Sequence, residues 1–212
     1  MVNILKNRVM NFFVYRIKRR VYEKNYKQYW QYERHHLKNE IESDPVTPED
    51  TNNIREFLSN YIKNSQTILE YGCGFGRILK SLNEKYNSAI KMYGVDINQK
   101  LLEDAKINIS NDNIILKQVD GKHIPFPDKF FDLSYTNVVL QHVPEYDYRK
   151  ICKELIRVTK SVIIHIECSV NYIHKFPHAY EKFYKEKGYK VIGGKRQDVW
   201  GDKLWYTIFL TS

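Results

Sequence analysis

The chain has 212 residues, 42% hydrophobic and 28% charged, with a formal net charge of +9. That length suits one domain with a sizeable core plus an extension, and no apolar run approaches the ~20 residues that a membrane-spanning helix needs. Cys73, Cys152 and Cys168 form no C-x-x-C pair, which argues against a disulfide framework or a zinc site. No apolar leader precedes a small-residue cleavage site, so a cytoplasmic protein is expected.

The charge is uneven. Residues 1–30 hold eight Lys and Arg against the single acid Glu23, a net of +7, which leaves +2 for the other 182 residues. Val2, Leu5, Val9, Phe12, Phe13, Ile17 and Val21 recur at spacings of three and four, which predicts a helix with an apolar stripe. Three roles compete for it. The leading one is a cap that packs the stripe onto the domain or a partner subunit. The second is contact with an anionic membrane surface through residues 1–21, which would make the protein membrane-peripheral. The third, a nucleic-acid arm, is disfavoured because the positive charge stops with the leader.

Residues 22–40 continue as a polar, aromatic-rich helix with Tyr22, Tyr26, Tyr29 and Trp30. His35 and His36 are adjacent, point to different sides of a helix and make a poor metal pair; no metal site is expected. Asp44-Pro45 breaks the pattern. Thr47-Pro48-Glu49 then reads as an N-cap with proline at the first helical position. The next helix runs to about Lys63 and turns Ile54, Phe57, Leu58, Tyr61 and Ile62 inward. A boundary near residues 60–66 separates a helical extension, 1–63, from a second domain, 64–212.

In that domain, strand patterns at 67–71, 90–96, 114–119, 131–136 and 162–167 alternate with helical ones at 76–86, 98–110 and 148–159. The alternation implies βαβ units and a mostly parallel sheet. Asn98 is the expected N-cap of the second of these helices. A helix at 179–187 ended by Gly188, then strands at 189–196 and 204–211, close the chain.

The stretch TILEYGCGFGRILK, residues 67–80, carries the strongest signal. Glu70 falls near the end of the strand, and Gly72, Gly74 and Gly76 alternate before the helix begins. Such a turn lets backbone N–H groups approach a ligand, and a helix start favours negative charge. The spacing is not the G-x-G-x-x-G of a dinucleotide fingerprint, and there is no Gly-Lys-Ser/Thr of a P-loop. This E-x-G-x-G-x-G loop resembles motif I of the class I S-adenosylmethionine-dependent methyltransferases. Residues 120–139, DGKHIPFPDKFFDLSYTNVV, resemble the L-P-F-x-x-x-x-F-D segment and fourth strand of the small-molecule members. The resemblance implies a Rossmann-like α/β fold: a seven-stranded, mostly parallel sheet with a final antiparallel strand.

In an open α/β sheet, ligands bind outside the carboxyl ends of the strands. Asp96 ends the second strand 24 residues after Gly72, near the ~20 expected for a ribose-binding acid. Ile97 beside it can pack on adenine. Asp120 ends the third strand, followed by Gly121; the resemblance implies an acceptor for the adenine amino group. It also sets Asn137, at the end of the fourth strand, along the methionine half of the cofactor. Asn137 is not followed by Pro-Pro-Tyr, which argues against the amino-methylating DNA enzymes. The expected cofactor set is Glu70, Gly72, Cys73, Gly74, Gly76, Asp96, Ile97, Asp120, Gly121 and Asn137, around S-adenosyl-L-methionine.

The implied chemistry is in-line methyl transfer, with the protein orienting the partners and removing a proton where needed. His142 is the first candidate base, with a structural histidine closing the pocket as its competing role. Glu167 and His165 come next, and His123 is expected to be structural. The expected acceptor is a small-molecule or glycan-type compound, taken at a hydroxyl. The alternatives are a membrane-surface lipid headgroup methyltransferase and a non-catalytic cofactor-binding partner subunit. A nicotinamide dehydrogenase is disfavoured by the glycine spacing.

Overall fold

The computed structural model describes residues 2–33, 48–86, 89–109, 113–168, 176, 178–199 and 202–210. His35, His36, Asp44-Pro45 and Thr47 lie outside them. Helix α1 (Val2–Gln28) runs into a π-helical turn, Tyr29–Glu33, and α2 spans Pro48–Ile62. Strand and helix then alternate through β1 (Thr67–Tyr71), α3 (Arg77–Tyr86), β2 (Lys91–Asp96), α4 (Gln99–Ile109), β3 (Ile114–Gln118) and β4 (Phe131–Asn137). A 3-10 turn at Leu140–His142, α5 (Glu145–Val158), β5 (Thr159–Cys168), α6 (Tyr180–Lys185), β6 (Lys190–Val199) and β7 (Asp202–Leu210) complete the chain.

The first five strands lie parallel in the order β3-β2-β1-β4-β5. The alternation expected between residues 67 and 168 is borne out. Asn98 caps α4, its Oδ1 accepting the Leu101 N–H at 3.1 Å. Beyond β5, β7 sits between β5 and β6 and runs antiparallel to both. Chain order reverses between β1 and β4, which opens a crevice at the carboxyl ends of those strands.

Successive residues of β1 serve opposite layers, as a two-residue period requires. Ile68 packs with Leu79 of α3, Met92 of β2 and Leu133 of β4. Leu69 and Tyr71 face the other layer, with Ile151 and Leu155 of α5 and Phe209 of β7. Each large aliphatic buried this way contributes roughly 1.5–3 kcal/mol. Helix α2 joins the first layer through Ile54, Leu58 and Ile62, all buried. Thus a helix on the N-terminal side of the expected boundary packs into the sheet's own core.

At its C-terminal end, helix α1 does not turn the apolar stripe toward the sheet: Ile17 is 61% and Val21 57% exposed. Tyr22, Tyr26 and Trp30, spaced by four, contact the second layer instead. Polar ends explain the choice, because these rings bury their faces and still reach acceptors, Tyr22 at His142 O and Tyr26 at Asp147. The side chains of Val2, Leu5, Val9, Phe12 and Phe13 lie outside the described residues.

Candidate cofactor site

Four loops converge on the crevice, following β1, β2, β3 and β4. In the first, Gly72, Gly74 and Gly76 all have positive φ, at 78°, 52° and 78°, a conformation that side chains resist. They differ in what surrounds them. A methyl group on Gly72 would lie 2.4 Å from Val139, and one on Gly76 would lie 2.5 Å from Ile109. One on Gly74 meets no heavy atom within 4 Å. Gly72 and Gly76 are therefore closed by packing, and Gly74 is the member of the triplet that faces open space.

The second loop locks onto the first. Asp96 Oδ2 accepts the Gly74 N–H at 2.8 Å, and Oδ1 accepts the Asn98 N–H at 2.9 Å. The Gly72 and Cys73 N–H groups are bound to Val95 O, and that of Gly76 to Cys73 O. In the third loop Asp120 is exposed, and its Oδ1 accepts the Lys122 and His123 N–H groups at 2.8 Å each. Those bonds and nearby Lys27 hold its pKa below the ordinary carboxylate value, against a rise from burial. Ile97 reaches within 3.4 Å of where a Gly121 side chain would begin, and Lys27 Nζ within 3.6 Å. So Asp96, Ile97, Asp120 and Gly121 do line neighbouring edges.

The fourth loop holds two anomalies. Asn137 Oδ1 is buried, and no hydrogen-bond partner reaches it among the described residues. Val138 has φ +58°, an outlier for a β-branched residue, of the kind that clusters at functional sites. Glu167 of β5 holds this loop in place. Its carboxylate accepts from the N–H groups of Val139, Leu140 and Gln141 and from Thr136 Oγ1, the last at 2.7 Å.

That arrangement corrects Glu167 as a base. It is 2% exposed, and its lone pairs are committed to the loop, so it orients Asn137 rather than meeting an acceptor. Burial raises its pKa to about 7, against those same hydrogen bonds. His165 is corrected likewise. Thr136 Oγ1, donating to Glu167, must accept from His165 Nδ1–H at 2.9 Å, and Tyr184 O–H then donates to Nε2 at 2.9 Å. Burial lowers the His165 pKa to about 3, so the ring stays neutral inside the sheet.

Two residues expected at the cofactor are buried in the core. Cys73 packs in the first core layer beside Leu79 and Met92, and burial raises its thiol pKa. Glu70 is buried and accepts from Tyr135 O–H at 3.0 Å; desolvation pushes its pKa to about 8 although Tyr135 and Arg77 oppose the shift. It supports the loop from the core side. His123 stands apart, its Nδ1 2.9 Å from Glu154 Oε2.

His142 lies at the crevice mouth, 7% exposed, with the Trp30 ring 4.5 Å away. Its Nε2 is 3.2 Å from Gln141 Nε2. The extension laces the loops together there. Tyr22 O–H donates to His142 O at 2.9 Å, Trp30 Nε1 to Tyr22 Oη at 2.7 Å, and Asn98 Nδ2 to Trp30 O at 2.9 Å. Lys27 Nζ donates to Asp120 O at 2.7 Å. Tyr26 O–H donates at 2.7 Å to Asp147, a buried carboxylate that also accepts from Lys150. Sequence reasoning assigned none of these aromatics to the mouth. Their four-residue spacing was visible; where that face would land was not.

The residues present fit S-adenosylmethionine by two observations. Gly74 leaves open space for a ligand backbone, and Asn137 Oδ1 offers a buried acceptor awaiting a donor such as an ammonium. Asp96 stands against Gly74 with carboxylate lone pairs for hydroxyl donors.

Residues 68–161 match a family model described as a methyltransferase domain. A demethylmenaquinone methyltransferase of Lactobacillus johnsonii is 33% identical over 103 residues, which is 47% of this chain and 41% of that protein. The chain spans less than half the length of the first curated relatives it matches. Among solved structures, magnesium protoporphyrin IX methyltransferase from Synechocystis, with bound S-adenosylhomocysteine, aligns with TM-score 0.66 at 13% identity, covering 77% of this chain and 83% of that one. The [4+2]-cyclase SpnF aligns at TM-score 0.64 and 13% identity, over 79% and 85%. Likeness at such identity shows the fold alone.

Proposed function

We propose that this chain, whose residues 68–161 match a methyltransferase-domain model, is a class I S-adenosylmethionine-dependent methyltransferase that methylates a small molecule at the mouth between His142 and the extension. The single observation that carries the cofactor reading is the pairing of open Gly74 with the orphaned acceptor of Asn137. A structural neighbour titled a cyclase has the same fold, so the fold alone would not suffice.

S-adenosylmethionine supplies an electrophilic sulfonium methyl group. The chain's residues do the rest. Asp96 would accept from the ribose hydroxyls, Ile97 and Gly121 would flank the adenine, Asp120 would take its amino group, and Asn137 Oδ1 would take the ammonium. Glu167 holds Asn137 by gripping the three N–H groups that follow it in the loop. For a hydroxyl acceptor, transfer would release one proton, and His142 at the mouth would take it once its Nε2 exchanged the Gln141 amide for the acceptor hydroxyl.

Aromatic rings dominate the mouth: Tyr22, Tyr29, Trp30 and His142. Such rings favour a flat, apolar acceptor over the glycan type. A curated relative named for demethylmenaquinone supports that choice. We read the antiparallel β6–β7 edge as the family's closing hairpin, and residues 1–63 as a cap whose α2 has joined the sheet core.

Calorimetry with S-adenosylmethionine, S-adenosylhomocysteine and NAD tests the cofactor. Micromolar binding of the first two and none of NAD is expected; tight NAD binding would sink the assignment. Labelled S-adenosylmethionine offered to lipid-phase and aqueous extracts then tests the acceptor, and label confined to the aqueous fraction would remove the apolar reading.

A further inference from the structure

Helix α1 is two-faced in a way the methyl-transfer reading does not use. Inward, Tyr22, Tyr26, Lys27 and Trp30 hold the loops. Outward, Arg16, Ile17, Lys18, Arg20, Val21 and Lys24 are all exposed, and this face has no acid between residues 16 and 28 apart from Glu23. Glu23 is half-buried and bonds inward-facing Arg19. A shallow groove of about 570 Å³ runs beside Ile17, Val21, Asn25 and Gln28.

We propose that this outward face docks on an anionic lipid bilayer. Charge complementarity selects the partner. Four cations, Arg16, Lys18, Arg20 and Lys24, are exposed here, in a segment, residues 1–30, that carries +7 against +2 elsewhere. A phosphate-bearing surface attracts them, at about 1 kcal/mol per Lys or Arg near it. The two aliphatics decide between kinds of phosphate surface. Ile17 and Val21 stand adjacent on one face, ringed by cations, where an acyl boundary would receive them and a nucleic-acid backbone would not. The sequence stripe Val2, Leu5, Val9, Phe13 continues the same spacing toward the N-terminus. No helix among the described residues is long and apolar enough to cross a membrane, so the contact is with the surface. A helix is only about 10–12 Å thick, and docking therefore brings the aromatic mouth close to the lipid. The docking does not depend on the catalytic reading.

Flotation of the full chain with vesicles tests this. Phosphatidylglycerol vesicles should carry the protein upward at low salt and release it at high salt, and phosphatidylcholine vesicles should not carry it. Lys18→Gln with Lys24→Gln should weaken binding roughly 25-fold, about fivefold for each cation. Ile17→Asp with Val21→Asp should abolish it. Both pairs are solvent-exposed, so melting temperature and S-adenosylmethionine affinity should hold, which separates lost docking from lost folding. No flotation at low salt would overturn the proposal. So would flotation that survives Ile17→Asp with Val21→Asp, or an RNA oligomer bound equally well by that variant and by the parent, which would assign the face to nucleic acid.

Discussion

The loops after β1 and β4 border the same crevice but are shaped by opposite means. The first takes its shape from glycines, which adopt positive φ with little strain, and Asp96 and Val95 accept its N–H groups. The second forces a valine into the left-handed region and depends on a carboxylate from the neighbouring strand. An unstrained loop should survive the loss of one acceptor; a strained one fails with its clamp.

Removing the clamp should have the largest effect. Glu167→Ala leaves three buried N–H groups and the Thr136 hydroxyl without their acceptor, beside a strained valine. At about 1–3 kcal/mol for each group left unsatisfied, partly relieved by water, a loss of about 4 kcal/mol is expected. Chemical denaturation measures it. A loss under 1 kcal/mol would mean that the β4 loop holds itself.

The glycine loop should respond unevenly. Gly72→Ala and Gly76→Ala meet both positive φ and side chains within 2.4–2.5 Å, and should cost about 3 kcal/mol each. Gly74→Ala meets strain alone and should cost about 1 kcal/mol, while weakening cofactor binding far more than stability. Equal destabilisation by all three would erase the distinction between packing glycines and the ligand-facing one. Asp96→Ala comes next, with about 2 kcal/mol expected in S-adenosylmethionine affinity from the loss of a charged acceptor. An unchanged dissociation constant in the folded variant would remove Asp96 from the ribose.

The same contrast explains how much of the molecule could be read in advance. The first five strands, the Asn98 cap and the glycine loop are written in local spacing. So was Asp96, because a strand end has a fixed place in an open sheet. Glu167 was visible as a strand-end acid, but its partners lie 26–31 residues earlier in the chain, and nothing local separates a clamp from a base. Cys73 and Glu70 sit in the motif yet point into the core, since a turn pattern does not say which way each side chain hangs. Ile17 and Val21 of the α1 stripe lie outside the fold's core for a related reason. Periodicity shows that a helix has two faces, but tyrosines with distant acceptors outcompeted aliphatics for the inner one.

The smallest expected effect concerns Glu70 and isolates the support under the glycine loop. Its pKa is raised from 4.5 to about 8 by burial, so the folded state holds a proton that the unfolded state has already released. That contribution is complete below pH 4.5 and is lost as pH rises through about 8. Glu167, raised to about 7, acts in the same direction with a lower window. His165, lowered to about 3, costs stability only as pH falls below its ordinary 6.5, which leaves the range above neutrality to the carboxyls. Between pH 7 and 8 the protein should therefore lose about 1 kcal/mol through Glu70. Gln at this position keeps an acceptor for Tyr135 and cannot ionise. Glu70→Gln should flatten most of that slope and melt higher than the parent at pH 8. If the parent shows no slope there, Glu70 is ionised in the fold, and the loop rests on a buried charge paired with Arg77 instead of on a neutral acid.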